Sequence, residues 1–398
     1  MARINIKRLG INRTVFTLGV VSLLTDISSE GIYPLIPLFL VNVLNTPVMN
    51  IGLIEGVAES TASILRVFSG WFSDVLGSRK WITTAGYALS AVSKPFFAVS
   101  TSWQQVLGIR FADRLGKGIR SAPRDALIAD VTPAESRGIS FGFHRAMDTV
   151  GALTGPLLAF WLLRSLHFEY RTIFFLSAVP AVLAVFILIA FVKEPARVKK
   201  TRQEWPSLRL SALSPRFKQF LLVTVIFSLG NSSDVFLILR ARDVGISAAS
   251  TLLVYVLFNS VGATLSTTAG AISDRFGRRN VMLAGFLVFA AVYMGFGLVT
   301  RPAAIWALFA FYGLYNALTG GVQKAFAADL ISPGMRGTGM GTFNMLTGVA
   351  LLPASVIAGY LWNAINPSAP FYFGAIMSLA AAFLLAVFFR GSVIYTDT

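Results

Sequence analysis

The chain has 398 residues, 55% of them hydrophobic and only 13% charged, with a mean hydropathy of +0.69. Soluble domains carry about twice that charged fraction, so the composition argues against an ordinary soluble enzyme. The 34 Lys and Arg against 18 Asp and Glu give a formal charge of +16. In a soluble protein that excess would point to nucleic acid; in a chain this apolar it points to the cytoplasmic side of a membrane.

Cysteine is absent, which excludes a disulfide framework and thiolate chemistry. The two histidines, His144 and His167, are too few for a poly-histidine metal site, and no metal or cofactor is expected. Met1–Arg13 is basic, and the apolar run after it is longer than a signal peptide's core, so it reads as a first membrane span.

Twelve spans of sufficient length and apolarity are expected at about 14–42, 49–73, 80–100, 103–122, 138–163, 171–193, 217–239, 247–270, 280–299, 302–324, 337–364 and 369–390. With the N-terminus inside, 24 basic residues fall in cytoplasmic segments and 5 outside, which places both termini in the cytoplasm.

Span one carries Asp26 and Glu30, one turn apart on one helix face. Asp26 lies roughly 18 Å into the span at 1.5 Å per residue, near the midplane. Ser28 and Ser29 lie between the two acids, and Pro34 and Pro37 follow, which should kink or end the helix. Two carboxylates on one face repel when both are ionised, which suits a proton carrier; the bland alternative is a pair neutralised by basic residues of spans four or five. Glu55 and Glu59 of span two either line an external vestibule or are simply solvated there. Span four, the least apolar, holds Arg110, Asp113, Arg114 and Lys117, with Arg110–Asp113 and Asp113–Lys117 at pairing distance on a helix. Span five holds His144, Arg145 and Asp148, then Gly151, Gly155 and Pro156. His144 and Asp148 share a face, Arg145 can also pair with Asp148, and a histidine there could relay protons or be structural.

Lys193–Lys218 has three prolines and eight basic residues and reads as a cytoplasmic linker. It divides the chain into halves at 1–192 and 219–398, with residues 193–218 between. Contact with anionic membrane lipid is plausible for it as a side effect; a nucleic-acid role lacks the aromatic interleaving it would need. The second half has few intramembrane charges. Asp234 lies near the outer end of span seven, and Asn259, Tyr312, Tyr315, Asn316 and Asn344 suit either substrate contact or interhelical bonding.

The halves repeat. Gly70–Lys80, with Asp74, Gly77 and Arg79, recurs as Gly270–Asn280, with Asp274, Arg275, Gly277 and Arg279, at an offset of 200 residues. Ala126–Asp130 with Arg137 recurs as Ala325–Asp329 with Arg336, at an offset of 199. Each motif follows the corresponding span of its half, a pattern of secondary transporters. Asp74 and Asp274 sit at cytoplasmic helix ends beside basic residues (Arg79 and Lys80, or Arg275 and Arg279), as a conformational latch would require; a plain connecting turn is the alternative.

The Gly-x-x-x-Asp-x-x-Gly-x-Arg-Lys/Arg pattern resembles the signature loop of the major facilitator superfamily, and over essentially its whole length the chain is similar to that family. The first copy departs from it at Val75, where the family has a basic residue. The resemblance implies an all-α polytopic fold of twelve transmembrane helices in two six-helix halves, with alternating access. It also implies a proton-coupling role for Arg110, which falls where the family places an arginine in span four, although Asp113 and Arg114 replace the usual Gln and Gly. The Gly151–Pro156 run resembles the span-five motif of the antiporter branch in its first part only. No nucleotide or catalytic motif is present: Gly116-Lys117-Gly118 lacks the phosphate-loop spacing. The expectation is a monomeric secondary transporter of the bacterial inner membrane, not an enzyme, that exports a small amphipathic drug or metabolite against protons or another cation. An importer of a small anionic solute, or a transporter-like sensor, are the alternatives.

Overall fold

The computed structural model describes residues 11–194, 213–332 and 335–390. The basic residues up to Arg8 and most of the Lys193–Lys218 linker lie outside the described residues. Every regular element described is helical: α1 (Arg13–Ile32), α2 (Leu35–Asn42), α3 (Val48–Leu76), α4 (Arg79–Val99), α5 (Trp103–Asp130), a 3-10 turn (Ala134–Ser136), α6 (Arg137–Ser165), α7 (Tyr170–Phe191), α8 (Pro215–Gly230), α9 (Val235–Asp243), α10 (Ala248–Phe276), α11 (Arg278–Leu298), α12 (Pro302–Asp329), α13 (Arg336–Ala364) and α14 (Ala369–Phe388). Two crossings are interrupted helices, α1 with α2 and α8 with α9, so the fourteen helices make twelve crossings. The first interruption falls at Tyr33–Pro34, where proline withholds the N–H that would continue the helix.

Among the described residues, nine segments are long and apolar enough to cross a membrane by composition. The three crossings that fall short are α3, α4 and α5, and these carry Glu55, Glu59, Lys94, Arg110, Asp113, Arg114 and Lys117. The shortfall is therefore polar chemistry moved inside the membrane and covered by neighbouring helices. Elsewhere the apolar faces point outward. On α7, Phe175 and Phe186 are 62% and 64% exposed, which a water-facing helix would not tolerate in such density and a lipid-facing one requires.

By packing, the chain forms two compact units, Met1–Thr46 with Val57–Pro206, and Pro47–Gly56 with Ser207–Thr398. They are internally alike. In the first, α1 packs on α6 and α7, and α4 on α5 and α7; in the second, α8 packs on α13 and α14, and α11 on α12 and α14. Helix starts are fixed locally: Asn12, Ser214 and Ser247 accept the N–H of Thr14, Phe217 and Ser250 at 3.0, 3.2 and 3.0 Å. The turns at Gly77 and Gly277 have φ of 66° and 87°, a region that side chains with a Cβ disfavour.

Candidate functional site

The α1 acids sit where α1 and α6 touch backbone to backbone. A Cβ on Gly155 would lie 2.6 Å from the Ile27 carbonyl oxygen and 2.8 Å from the Gly31 nitrogen; one on Gly151 would lie 2.8 Å from Asp26 Cβ. The Gly-x-x-x-Gly spacing of α6 thus lets α1 approach at the turn that holds Asp26. One turn earlier, the Ser22 hydroxyl donates to Asp148 of α6. Asp148 Oδ2 also lies 3.5 Å from His144 Nδ1. The charges acting on Asp26 are Asp148, Glu30, Lys117 and Arg120. Asp26 and Glu30 of α1 thus stand on the helix that meets Asp148 of α6 at this seam, with Lys117 and Arg120 of α5 among the charges that act on Asp26.

His144 is 4% exposed, and its Nε2 makes no hydrogen bond. Arg145, one residue on, is exposed and forms no ion pair among the described residues, so it does not take up Asp148. Helix geometry explains the difference: positions 144 and 148 share a face, and 145 is turned about 100° from 144.

The α5 charges form a buried network. Arg110, Asp113 and Arg114 are 2%, 7% and 5% exposed. Arg110 and Arg114 lie 3.7 and 3.8 Å from Asp113, the Ser90 hydroxyl donates to Asp113, and Arg114 reaches Glu59 of α3 at 3.5 Å. Both guanidinium groups also stand over the Tyr33 ring, at 5.5 and 5.9 Å. Lys117 forms no ion pair with Asp113 among the described residues; the charges acting on it are Arg114 first, then Glu59, Glu30 and Asp26. Glu55 is 1% exposed, so it is not a solvated outer acid, and Glu59 is a partner of Arg114. Lys94 of α4, 1% exposed, donates to Ser28 Oγ at 2.7 Å and Ser29 Oγ at 2.9 Å, between the two α1 acids. The sequence signal for this contact was the Ser-Ser pair itself.

At the loop between α3 and α4, Arg79 pairs with Asp74 at 3.0 Å, pairs with Asp130 of α5, and donates to the Ala126 carbonyl. The second unit repeats the arrangement with Arg278: Asp274 at 3.5 Å, Asp329 at 2.5 Å and the Ala325 carbonyl at 2.9 Å. Arg279, expected beside Asp274, instead donates to the Ala386 carbonyl near the end of α14, as Lys80 does to the Ile189 carbonyl of α7. Arg275 is exposed and lies over the Phe276 ring. Gly70 and Gly270 lie on α3 and α10 near these loops. The sequence reading passed over Glu194. Its carboxylate accepts the Arg79 and Lys80 backbone N–H groups, both at 2.8 Å, and caps α4. Glu194→Ala is expected to cost about 1 kcal/mol, as loss of a cap does, read as a lower unfolding temperature in detergent, with Glu194→Gln retaining part of it.

In the second unit, Tyr312 and Tyr315 are 3% and 6% exposed and stand against the interruption between α8 and α9. The Tyr312 hydroxyl donates to Asp234 Oδ1 at 2.7 Å, and Asn231 Nδ2 donates to the Tyr315 hydroxyl at 3.1 Å. Asn259 donates to the Tyr255 carbonyl within its own helix, Asn316 is exposed, and Asn344 is half-buried. These five polar groups are therefore not one cluster: the tyrosines belong with Asn231 and Asp234. Among the described residues no group of three His, Cys, Asp or Glu could hold a metal ion.

The comparisons with known proteins agree with this architecture. The model of the Major Facilitator Superfamily matches residues 18–240 and 220–396. An uncharacterised MFS-type transporter of Methanocaldococcus jannaschii is 36% identical over 384 residues, 94% of each chain. The multidrug resistance protein MdtH of Photorhabdus laumondii is 25% identical over 365 residues, 89% of each chain. Among solved structures, a nucleoside transporter, NupG, has a TM-score of 0.79 at 16% identity, covering 95% of this chain and 100% of that one. The POT family transporter PepTSo has a TM-score of 0.80 at 14% identity, covering 95% and 98%. At such identity these two structures speak to the fold alone. The repeated six-helix pattern, the loop motif in each half and the family match over nearly all of the chain converge: this integral, multi-pass membrane protein belongs to the Major Facilitator Superfamily of transporters.

Proposed function

We propose that this transporter works by alternating access as a proton-coupled antiporter of the bacterial inner membrane, with both termini in the cytoplasm, and exports a small amphipathic drug or metabolite. The observation that carries the reading is the gathering of Asp26, Glu30 and Asp148 at the glycine seam between α1 and α6. Carboxylates on the facing turns of two packed helices repel when all are ionised, so gain and loss of a proton there changes the contact between the helices. Arg110, Asp113 and Arg114 modulate that charge from α5, and His144 positions Asp148. The paired loops at Arg79 and Arg278 serve as latches that hold one state and release in the other. The likeness to MdtH favours export.

Import of an anionic solute is less well supported, because Arg110 and Arg114 already face Asp113 and Glu59. The test is flux into proteoliposomes of each pH polarity. Wild-type protein should move substrate against the proton flow. Asp26→Asn and Glu30→Gln should abolish pH-driven accumulation by about tenfold or more while substrate exchange at equal pH persists. Gradient-driven transport that survives both substitutions would remove the assignment.

A further inference from the structure

The interruption between α8 and α9 is a second polar feature inside the apolar interior, and the coupling chemistry does not use it. Residues Asn231–Asp234 break the helix, and the Ser233 N–H turns to the Ser355 hydroxyl of α13 at 3.3 Å. Asn231 and Asp234 are half-buried, while the three tyrosines behind them, Tyr293, Tyr312 and Tyr315, are buried. The rings form a continuous wall, with Tyr312 5.2 Å from Tyr315 and 6.2 Å from Tyr293. Two polar atoms in it lack partners. Asn231 Oδ1 is buried with no donor, and the Tyr293 hydroxyl, beside Ser232 and Tyr312, makes no hydrogen bond of ordinary geometry. Buried polar atoms of this kind ask for a partner.

We propose that this break is the substrate's recognition site and that it takes the ammonium group of an amphipathic amine. The proposal deepens the exporter reading and rests on it, since it names the class of molecule carried. Asp234 supplies the opposing charge and is held in place by the Tyr312 hydroxyl. The tyrosine wall offers ring density to a cation. Asn231 Oδ1 accepts one N–H of the ligand, and the neighbouring phenylalanines take its apolar body. An anion would meet the Asp234 carboxylate and be repelled. A divalent metal would need more oxygen ligands than one carboxylate and neutral side-chain oxygens supply.

The test is calorimetric binding to the purified full chain, with no gradient, of three probes of one shape: 4-phenylbutylammonium, the neutral 4-phenylbutanol and the anionic 4-phenylbutyrate. The ammonium alone should bind. Asp234→Asn should weaken it by about tenfold or more, and Asp234→Glu should recover part of the loss. Tyr312→Phe, which keeps the ring and releases the carboxylate, should weaken it by about threefold. Equal binding of the three probes, no binding of the ammonium, or affinity unchanged in a well-folded Asp234→Asn overturns the proposal. Should that variant not fold, Asn231→Leu reads the same site, with a loss of about fivefold supporting the proposal and no change overturning it. Failure of the exporter reading would show separately, as binding that is intact without pH-driven efflux of the ammonium from wild-type vesicles.

Discussion

The Gly155→Leu variant is expected to lose about 3 kcal/mol or more of stability, with complete loss of transport. The reason is what the new side chain meets. Its Cβ would fall 2.6 Å from the Ile27 carbonyl oxygen, 2.8 Å from the Gly31 nitrogen and 3.1 Å from Ile27 Cα, all backbone atoms of α1 that no rotamer change can move. The two helices must part, and with them the contacts that set Asp26 and Asp148 together. Gly142, earlier in the same helix, is the control: a Cβ there meets nothing within 4 Å. Gly142→Ala should be neutral or stabilising by up to about 1 kcal/mol, because alanine is the better helix former. Adding a side chain to a glycine thus has opposite signs at two positions of one helix, and tertiary contact outweighs propensity at 155. Thermal unfolding in detergent with transport in vesicles checks both; a stable, active Gly155→Leu would mean that the seam is not close-packed.

The second large effect is expected at the arginines of the repeated loops, and it is unequal between the halves. Arg79 has a side chain 10% exposed and joins Asp74, Asp130 and the Ala126 carbonyl. Arg79→Gln leaves two partly covered carboxylates facing each other. Breaking a fully buried pair costs about 3–5 kcal/mol, and the 28% and 31% exposure of the two acids lowers the expectation to about 2 kcal/mol. Arg278 has a side chain 29% exposed, and Asp274 is 70% exposed. Arg278→Gln should therefore cost about 1 kcal/mol or less. Arg279→Gln, which removes bonds to the Ala386 carbonyl and to the neighbouring Asn280 side chain, should leave the Asp274–Asp329 arrangement intact. Melting temperatures ranked Arg79→Gln, then Arg278→Gln, then Arg279→Gln nearest wild type support this; an Arg279→Gln variant less stable than Arg278→Gln would sink it.

That ranking also marks where sequence reasoning stopped. The repeat at an offset of 200 pairs Arg79 with Arg279, yet Arg278 takes the equivalent contacts. The first turn has a residue between glycine and arginine, Gly77-Ser78-Arg79, with Ser78 at the start of α4. In the second, Gly277 itself both ends α10 and begins α11, so the helix starts one residue sooner and the preceding arginine rotates onto the acids. Pattern matching reads the order of residues; the phase of a helix depends on its first turn. The crossings were legible because hydropathy and span length are properties of contiguous chain. So was the interruption after Ile32, which Pro34 announces. The partners of the buried charges were not legible. Ser22 with Asp148, Lys94 with Ser28, and Tyr312 with Asp234 are separated by 126, 66 and 78 residues, and only packing selects them. Arg145 shows the converse, a residue adjacent in sequence to buried His144 and itself exposed.

The interruption in the seventh crossing has a mechanical meaning too. Its first segment, α8, packs on α14 through Gly230, where a Cβ would meet Met377 Cβ at 2.5 Å. Its second segment, α9, is riveted to the end of α11 by Arg240, which donates to the Phe296 and Val299 carbonyls, each at 3.0 Å. A continuous helix would carry a twist from one end of the bilayer to the other. Here the ladder stops at Asn231–Asp234, and the two arms are fastened to different neighbours, as in a universal joint.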